Sequence, residues 1–229
     1  MKINKIIFLS HWAIIVLFLL SLTIVGFTFK NKEDYSRRIG ESSLEKKSIA
    51  LNTFQHIYIE SGCRVNISGS SESKLLYSNI KTKKEVKPLY EVRNDTLFIS
   101  SSKTNLGEWI DIHTNNLQSI TSIGSQINIY NLNDDELTIN GDHARFNISN
   151  NSSISFANII LKNNSDLQGW NYKGNALKLD IKASKVQFSS ENHKLDRIDG
   201  SVSSNSTVRL PKTRIIDVES DNSSEIKMY

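Results

Sequence analysis

From Leu117 onward, an alternating apolar and polar run returns about every twenty residues. Leading apolar residues fall at Leu117, Leu137, Ile159, Leu177, Leu195 and Ile215, at intervals of 20, 22, 18, 18 and 20. Each run is followed by a small or polar break: "IGS" at 123–125, "NGD" at 140–142, "NNS" at 163–165, "KAS" at 182–184, "DGS" at 199–201 and "SDN" at 220–222. A second alternating run comes next, reading in turn "INIY", "RFNIS", "WNY", "VQF", "VRL" and "IKMY". Repeats of this length mark solenoids, in which a unit buries its apolar face only by stacking on its neighbours. A leucine-rich repeat would need a fixed Leu and Asn ladder with a helical or looser arm, and neither half of this unit has helical spacing. The expected fold class is therefore all-β, a single-stranded β-helix-like solenoid of about 20-residue rungs. Strands ~4.8 Å apart make six such rungs roughly 30 Å long. Alternation from Phe146 and Leu177 points Ile148 and Leu179 inward.

The period of two begins earlier, at Phe54. "FQHIYIESG", "CRVNISG", "LYEVRNDTLFISS" and "EWIDIHT" all alternate as half-buried strands do. Asn94-Asp95 is turn chemistry between two of them and predicts a hairpin. The many asparagines suit repeated left-handed corners. "NIS" at 147–149 and "NSS" at 222–224 also match the glycosylation acceptor pattern, which arises by chance in a chain so rich in Asn and Ser.

The first 52 residues are different. Ile6 to Phe29 is an uncharged apolar segment of 24 residues, and ~20 apolar helical residues suffice to cross a bilayer. It is expected to be an N-terminal transmembrane helix. The rival is a cleaved signal peptide, with Lys2 and Lys5 as its basic start, but no A-x-A-like site comes after it. Residues 30–52 read as a charged juxtamembrane linker and 53–229 as the solenoid, with 1–5 a short tail. The net charge of +4 lies entirely before Thr53, so the solenoid region is formally neutral and nucleic acid is not an expected partner. Six basic residues between Lys30 and Lys47 against two before the span favour a cytoplasmic solenoid on a simple count. The export-like N-terminus argues for the opposite side, and joined to the family resemblance given below it makes the expectation a single-pass cell-membrane protein with its C-terminal domain extracytoplasmic, periplasmic or at the cell surface. Cys63, the one cysteine, can form neither an internal disulfide nor a metal-ligand pattern.

No catalytic, cofactor or metal residues are expected. Asp134, Asp135 and Glu136 could offer oxygen ligands to Ca²⁺, but successive strand residues point to opposite faces and no glycine-rich loop is adjacent. A glycosidase needs two carboxyl groups across a cleft, and short repeats leave no long loops to wall one. His113, His143 and His193 are not spaced at one phase of the repeat and read as surface or corner residues. Trp170 and Tyr172, beside Lys173 in "QGWNYKG", are the candidate surface-binding patch, suited to a sugar ring or a protein; the alternative is that this is the inward face.

The opening "FQHIYIESGCRVNIS", the hairpin ending in "NDTLFI", the strand before "NLQSI" and the iterated units together resemble the auto-transporter adhesin head GIN domain family of bacterial envelope proteins. The resemblance covers about Phe54 to Tyr229. The family's breaks are richer in Ser, Gly and Ala; here Gly124, Gly141 and Gly200 keep the glycine, while Asn164, Ala183 and Asp221 stand in the comparable places. The resemblance implies a right-handed winding, an extracytoplasmic location and no established activity. The expected function is that of a membrane-anchored, non-enzymatic module for binding, adhesion or envelope interaction. Its partners are the lipid bilayer, through Ile6 to Phe29, and a protein or glycan. The alternatives are an envelope-stress regulatory partner of another membrane protein and a polysaccharide-active β-helix enzyme.

Overall fold

A computed structural model describes residues 44–80, 88–100, 109–149, 151–170, 172–189 and 195–228. Lys46–Asn79 and Lys84–Tyr229 form one compact unit. The other, Met1–Glu45 with Ile80–Lys83, lies almost wholly outside the described residues, as do the expected span at Ile6 to Phe29, the linker up to residue 43, and His193.

The described residues contain strands and no helix: β1 (Leu44–Ala50), β2 (His56–Ile59), β3 (Arg64–Gly69), β4 (Lys74–Ile80), β5 (Leu89–Arg93), β6 (Thr96–Ser100), β7 (Ile110–Thr114), β8 (Ser119–Ile123), β9 (Gln126–Tyr130), β10 (Asn133–Asp142), β11 (Arg145–Ile148), β12 (Ser153–Lys162), β13 (Asp166–Trp170), β14 (Ala176–Lys182), β15 (Lys185–Ser189), β16 (Leu195–Ser203), β17 (Thr207–Leu210), β18 (Thr213–Ser220) and β19 (Glu225–Met228). They make two sheets. Sheet A runs β1-β4-β7-β3-β9-β11-β13-β15-β17-β19 and sheet B runs β18-β16-β14-β12-β10-β8-β2-β6-β5. From β8 on, each even strand and the odd strand after it form one rung, and every strand lies parallel to its equivalents in the next rungs. This is the expected β-solenoid. Leu44–Ala50, read from the sequence as linker, is instead an edge strand. Its "LEKKSIA" has no apolar alternation, and lysines of this kind discourage further pairing at a sheet edge.

The core is a set of apolar columns. Leu137, Ala157, Leu177 and Ile198 stack in register in sheet B, beside Ile139, Ile159 and Leu179. Ile127, Phe146, Leu167 and Val186 stack in sheet A. All are buried, as are Ile148 and Leu179, the two residues expected to point inward. The register corrects three of the leading positions. Ile159 belongs one step further along the strand than Leu137, whose true counterpart is Ala157; Leu195 precedes its counterpart Ile198; and Ile215 faces outward while Ile216 takes the column. A small residue in a core position hid the first of these shifts.

The corners are also displaced from two of the expected breaks. The backbone is left-handed at Gly124 (φ 58°), His143 (53°), Asn163 and Asn164 (55° and 61°), Ala183 (47°) and Ser204 and Asn205 (61° and 60°). Gly141 and Gly200 lie inside β10 and β16, so His143 and Asn205 replace them as corner residues. Gly141 is small for a packing reason: an added Cβ would come within 2.7 Å of both the Leu161 side chain and the Phe146 ring. Behind each corner runs a ladder of hydroxyls. The backbone N–H groups of Cys63, Ala144, Ser165, Ser184 and Ser206 donate to the hydroxyls of Ser125, Ser165, Ser184, Ser206 and Ser224 one rung on, at 3.1–3.2 Å. Ser165 and Ser184 pass their own protons to the carbonyls of Lys162 and Lys182. Serine is thus the constant residue of the break, because it satisfies a buried N–H and a carbonyl together. Ala144 interrupts the ladder.

The chain does not enter the stack at its end. β2 pairs with both β6 and β8, and β3 with both β7 and β9, so the first rung formed lies between the second and the third. β5 and β4 then lie antiparallel on β6 and β7. The predicted hairpin is β5–β6, with Asn94 and Asp95 both left-handed (φ 48° and 56°), as a two-residue turn matched to strand twist requires.

Candidate functional site

Alternation sends every second residue of sheet A to its outer face, and parallel register lines those residues up in rows. One row holds Asp111, Asn66, Asn128, Asn147, Gln168 and Gln187. Asn66 donates from Nδ2 to Asp111 at 2.7 Å, and Asn128 to Asn66 at 3.0 Å. The side-chain oxygen of Asn147 is buried without a hydrogen-bond partner, so the chain of amides stops there. To one side stand Arg64, Gln126, Arg145, Asp166 and Lys185; to the other, Tyr130, Trp170 and Ser189. Arg145 and Asp166 form an ion pair at 3.9 Å. The face is therefore broad, mixed in charge and rich in amides. Sequence alternation identified its strands but not this row, because each amide lies in a different repeat unit and only the register brings them together.

Trp170 ends β13 on this face and is 46% exposed. Tyr172 goes the other way. It is 1% exposed, donates its hydroxyl to the Ile154 carbonyl at 2.7 Å, and lies 4.9 Å from the Phe188 ring centroid. Burial pushes its phenol far above the ordinary value. Space for these rings comes from Gly169, whose inward position is paired with Phe188 and where a Cβ would fall on that ring. Lys173 is exposed, in an isolated bridge to Ser153. The two rings of the sequence-derived patch thus do not share a face. The second strand of that unit is Asp166–Trp170 rather than the expected "WNY", because an inward glycine broke the apolar pattern.

Other expected residues lie apart from this face. Asp134, Asp135 and Glu136 lie near the start of β10 and line a groove of about 650 Å³ with His56, Asn116 and Gln118. Burial raises the Asp134 carboxyl above its ordinary value, the Leu117 N–H offsets this, and Asp135 adds to it. His113 is held below its ordinary value by burial and by Lys74. His143 sits at an exposed corner with Nδ1 2.7 Å from Asp142, whose carboxyl also meets Asn163 at 2.9 Å and Lys162 at 3.2 Å. The Asn163 amide first, then His143 and Lys162, hold that carboxyl down at about 2. Among the described residues, no three His, Cys, Asp or Glu side chains gather as a metal site. Cys63 is 4% exposed, and burial, with Glu60 adding, pushes its thiol up to about 11.

The sequence matches no protein-family model and no curated relative. The fold is similar to solved structures. One is a Bacteroides fragilis protein described as a "putative adhesin", 18% identical, with a TM-score of 0.57 over 81% of this chain and 97% of that one. Another is a Parabacteroides distasonis protein described as a "putative lipid binding protein", 10% identical, with a TM-score of 0.54 over 81% of this chain and 94% of that one. At these identities the likeness establishes the shared β-solenoid fold.

Proposed function

We propose that the chain is a non-catalytic binding module of the bacterial envelope. It is held in the membrane by Ile6 to Phe29, wound right-handed, and turns the outer face of sheet A toward a protein or glycan. The observation that carries this reading is Trp170, a large ring left 46% exposed beside a row of side-chain amides on a broad sheet face. A ring of that kind stacks on apolar ring faces while the amides take hydroxyls or peptide groups. The adhesin and lipid-binding descriptions of the similar structures fit a binding role, and the opening motif and repeats fit the head GIN resemblance. Parallel crossovers are right-handed in ~98% of cases, which supports the winding.

The test is a titration of the reconstituted full chain with purified envelope polysaccharides and surface-protein fractions, alongside Trp170→Ala. A tenfold or larger loss of affinity in the variant, with far-UV circular dichroism unchanged, is the expected result. Unaltered binding by the variant would remove sheet A from the reading. Location is tested separately. Because Cys63 is buried and its thiol resists ionisation, a cysteine at Ser43 (Ser43→Cys) is the probe. A membrane-impermeant thiol reagent should label it once the outer membrane is permeabilised. Labelling only after the inner membrane is broken would place the domain in the cytoplasm.

A further inference from the structure

One flank of the sheet A face carries charge at a period of two rungs. Along the neighbouring strands β3, β9, β11, β13 and β15 the register sets Arg64, Gln126, Arg145, Asp166 and Lys185 side by side. Arg64, Arg145 and Lys185 are exposed, so a cation recurs on every second rung, roughly 10 Å apart at ~4.8 Å per rung. Between them stand an amide and a carboxylate. Beyond Lys185 the row turns to Thr207 and Glu225, which confines its cations to these strands. Arg64, Gln126, Arg145 and Asp166 also line a groove of about 320 Å³ with the corner residues His143 and Asn164. Arg145 meets Asp166 through Nε at 3.9 Å; its terminal nitrogens keep the forked donors that match a carboxylate.

We propose that the ligand of this face is a linear acidic glycan with a carboxylate on every second sugar, lying along the amide row with its carboxylates turned toward Arg64, Arg145 and Lys185. This rests on the reading of sheet A as the binding face. The amides lie two residues along each strand from the cations, about 7 Å at ~3.3 Å per residue, within reach of an arginine or lysine side chain. Trp170 follows Gln168 by the same two residues, on the other side of the row. A chain over the amides therefore has cations on one flank and an aromatic ring on the other. An extended pyranose unit is about as long as the rung spacing, so a disaccharide repeat keeps step with the cations. Charge complementarity selects among polymers. Asp166, on an intermediate rung, repels a chain charged on every sugar but accepts a hydroxyl from a neutral one. Phosphates of duplex DNA, ~3.4 Å apart along each strand, do not keep the two-rung step. Each exposed ion pair is weak, so affinity comes from several repeats engaged together.

The test titrates the full chain, reconstituted in neutral-lipid vesicles, with three polymers: hyaluronan, which alternates a uronate with a neutral sugar; its carboxyl-reduced form; and polygalacturonate, charged on every sugar. Hyaluronan should bind at least tenfold more tightly than either of the others. Arg145→Gln should cost at least tenfold for hyaluronan and leave the weak binding of the carboxyl-reduced form unchanged, with circular dichroism unaltered. Asp166→Asn should raise the affinity for polygalacturonate at least threefold, a gain that loss of structure does not produce. No binding of hyaluronan, equal affinity for its carboxyl-reduced form, or binding indifferent to Arg145→Gln overturns the acidic-glycan assignment. So does tighter association with polygalacturonate, duplex DNA or anionic-phospholipid vesicles. Trp170→Ala separates the two readings: if it weakens glycan binding that Arg145→Gln leaves intact, sheet A stands as the binding face and only its acidic ligand falls, whereas binding indifferent to both variants removes the sheet A reading as well.

Discussion

At one end of the solenoid the chain reverses direction, laying β5 and β4 antiparallel on β6 and β7 and placing β1, with Lys46 and Lys47, at the sheet edge. At the other end, β18 and β19 continue the same parallel register and leave Ile216 and Met228 in solvent. The contrast shows that a repeated register contains no stop of its own. Each rung offers the next the same edge and the same apolar column, so a stack closes only where strand direction or surface chemistry changes.

The comparison can be broken most forcefully in the middle. Ile148→Asp or Leu179→Asp places an unpaired charge among fully buried columns and should cost more than ~4 kcal/mol, unfolding neighbouring rungs together. Ile216→Asp should cost less than ~1 kcal/mol. Urea unfolding of the three variants checks this, and equal losses would mean that the last rung is covered in solution. The hydroxyl ladder gives a smaller version of the same contrast. Ser184→Ala orphans the buried N–H of Ser165 and should cost ~1–2 kcal/mol, whereas Ser224→Ala, where water can replace the hydroxyl, should cost under ~0.5 kcal/mol. Ala183→Gly relieves a left-handed alanine at a corner and should stabilise by ~0.5–1 kcal/mol, read as a higher thermal midpoint.

Acid supplies the mildest test. Asp142 and Asp221, at an inner and at the last corner, are both held at about 2 against an ordinary 3.8, Asp221 chiefly by the Ser204 N–H. Carboxyls depressed on folding stabilise the native state above their unfolded pKa and lose that contribution as pH falls through the folded one. The thermal midpoint should therefore be insensitive to these two groups down to about pH 4 and fall from there to about pH 2. Asp221→Asn should flatten part of that fall, and an unchanged profile would mean that the corner at Asp221 is not formed in solution.

Alternation made the strands legible, and Asn94-Asp95 made the hairpin legible, because both are signals carried by adjacent residues. Register was harder. Ala157 and Gly169 hold inward positions without looking strongly apolar, so both runs of the unit from Ile159 to "WNY" fall out of step with the sequence reading. Gly141 and Gly200 look like corners but lie in strands, while the real corners at His143 and Asn205 lack glycine altogether. Of the sequence-derived patch, Trp170 is on the surface and Tyr172 is in the core, because Tyr172 lies past the end of β13, where strand alternation no longer sets the facing. The pairing of β2 with β8 could not be read at all, since nothing in His56–Ile59 specifies a partner some sixty residues away.

That last pairing governs the order of assembly. The first rung of the stack to be synthesised, within Phe54 to Gly69, lies between two others, so it can be enclosed on both sides only after Tyr130 has been made. Distant pairings of this kind pay their loop-closure entropy before any contact repays it. β2 and β3 must therefore wait, unpaired and apolar on one face, until β6 to β9 arrive. A nascent chain halted before residue 119 would expose the β2 edge to aggregation and to quality-control proteases, whereas loss of the last rung would unpartner only the outer edges of β16 and β17.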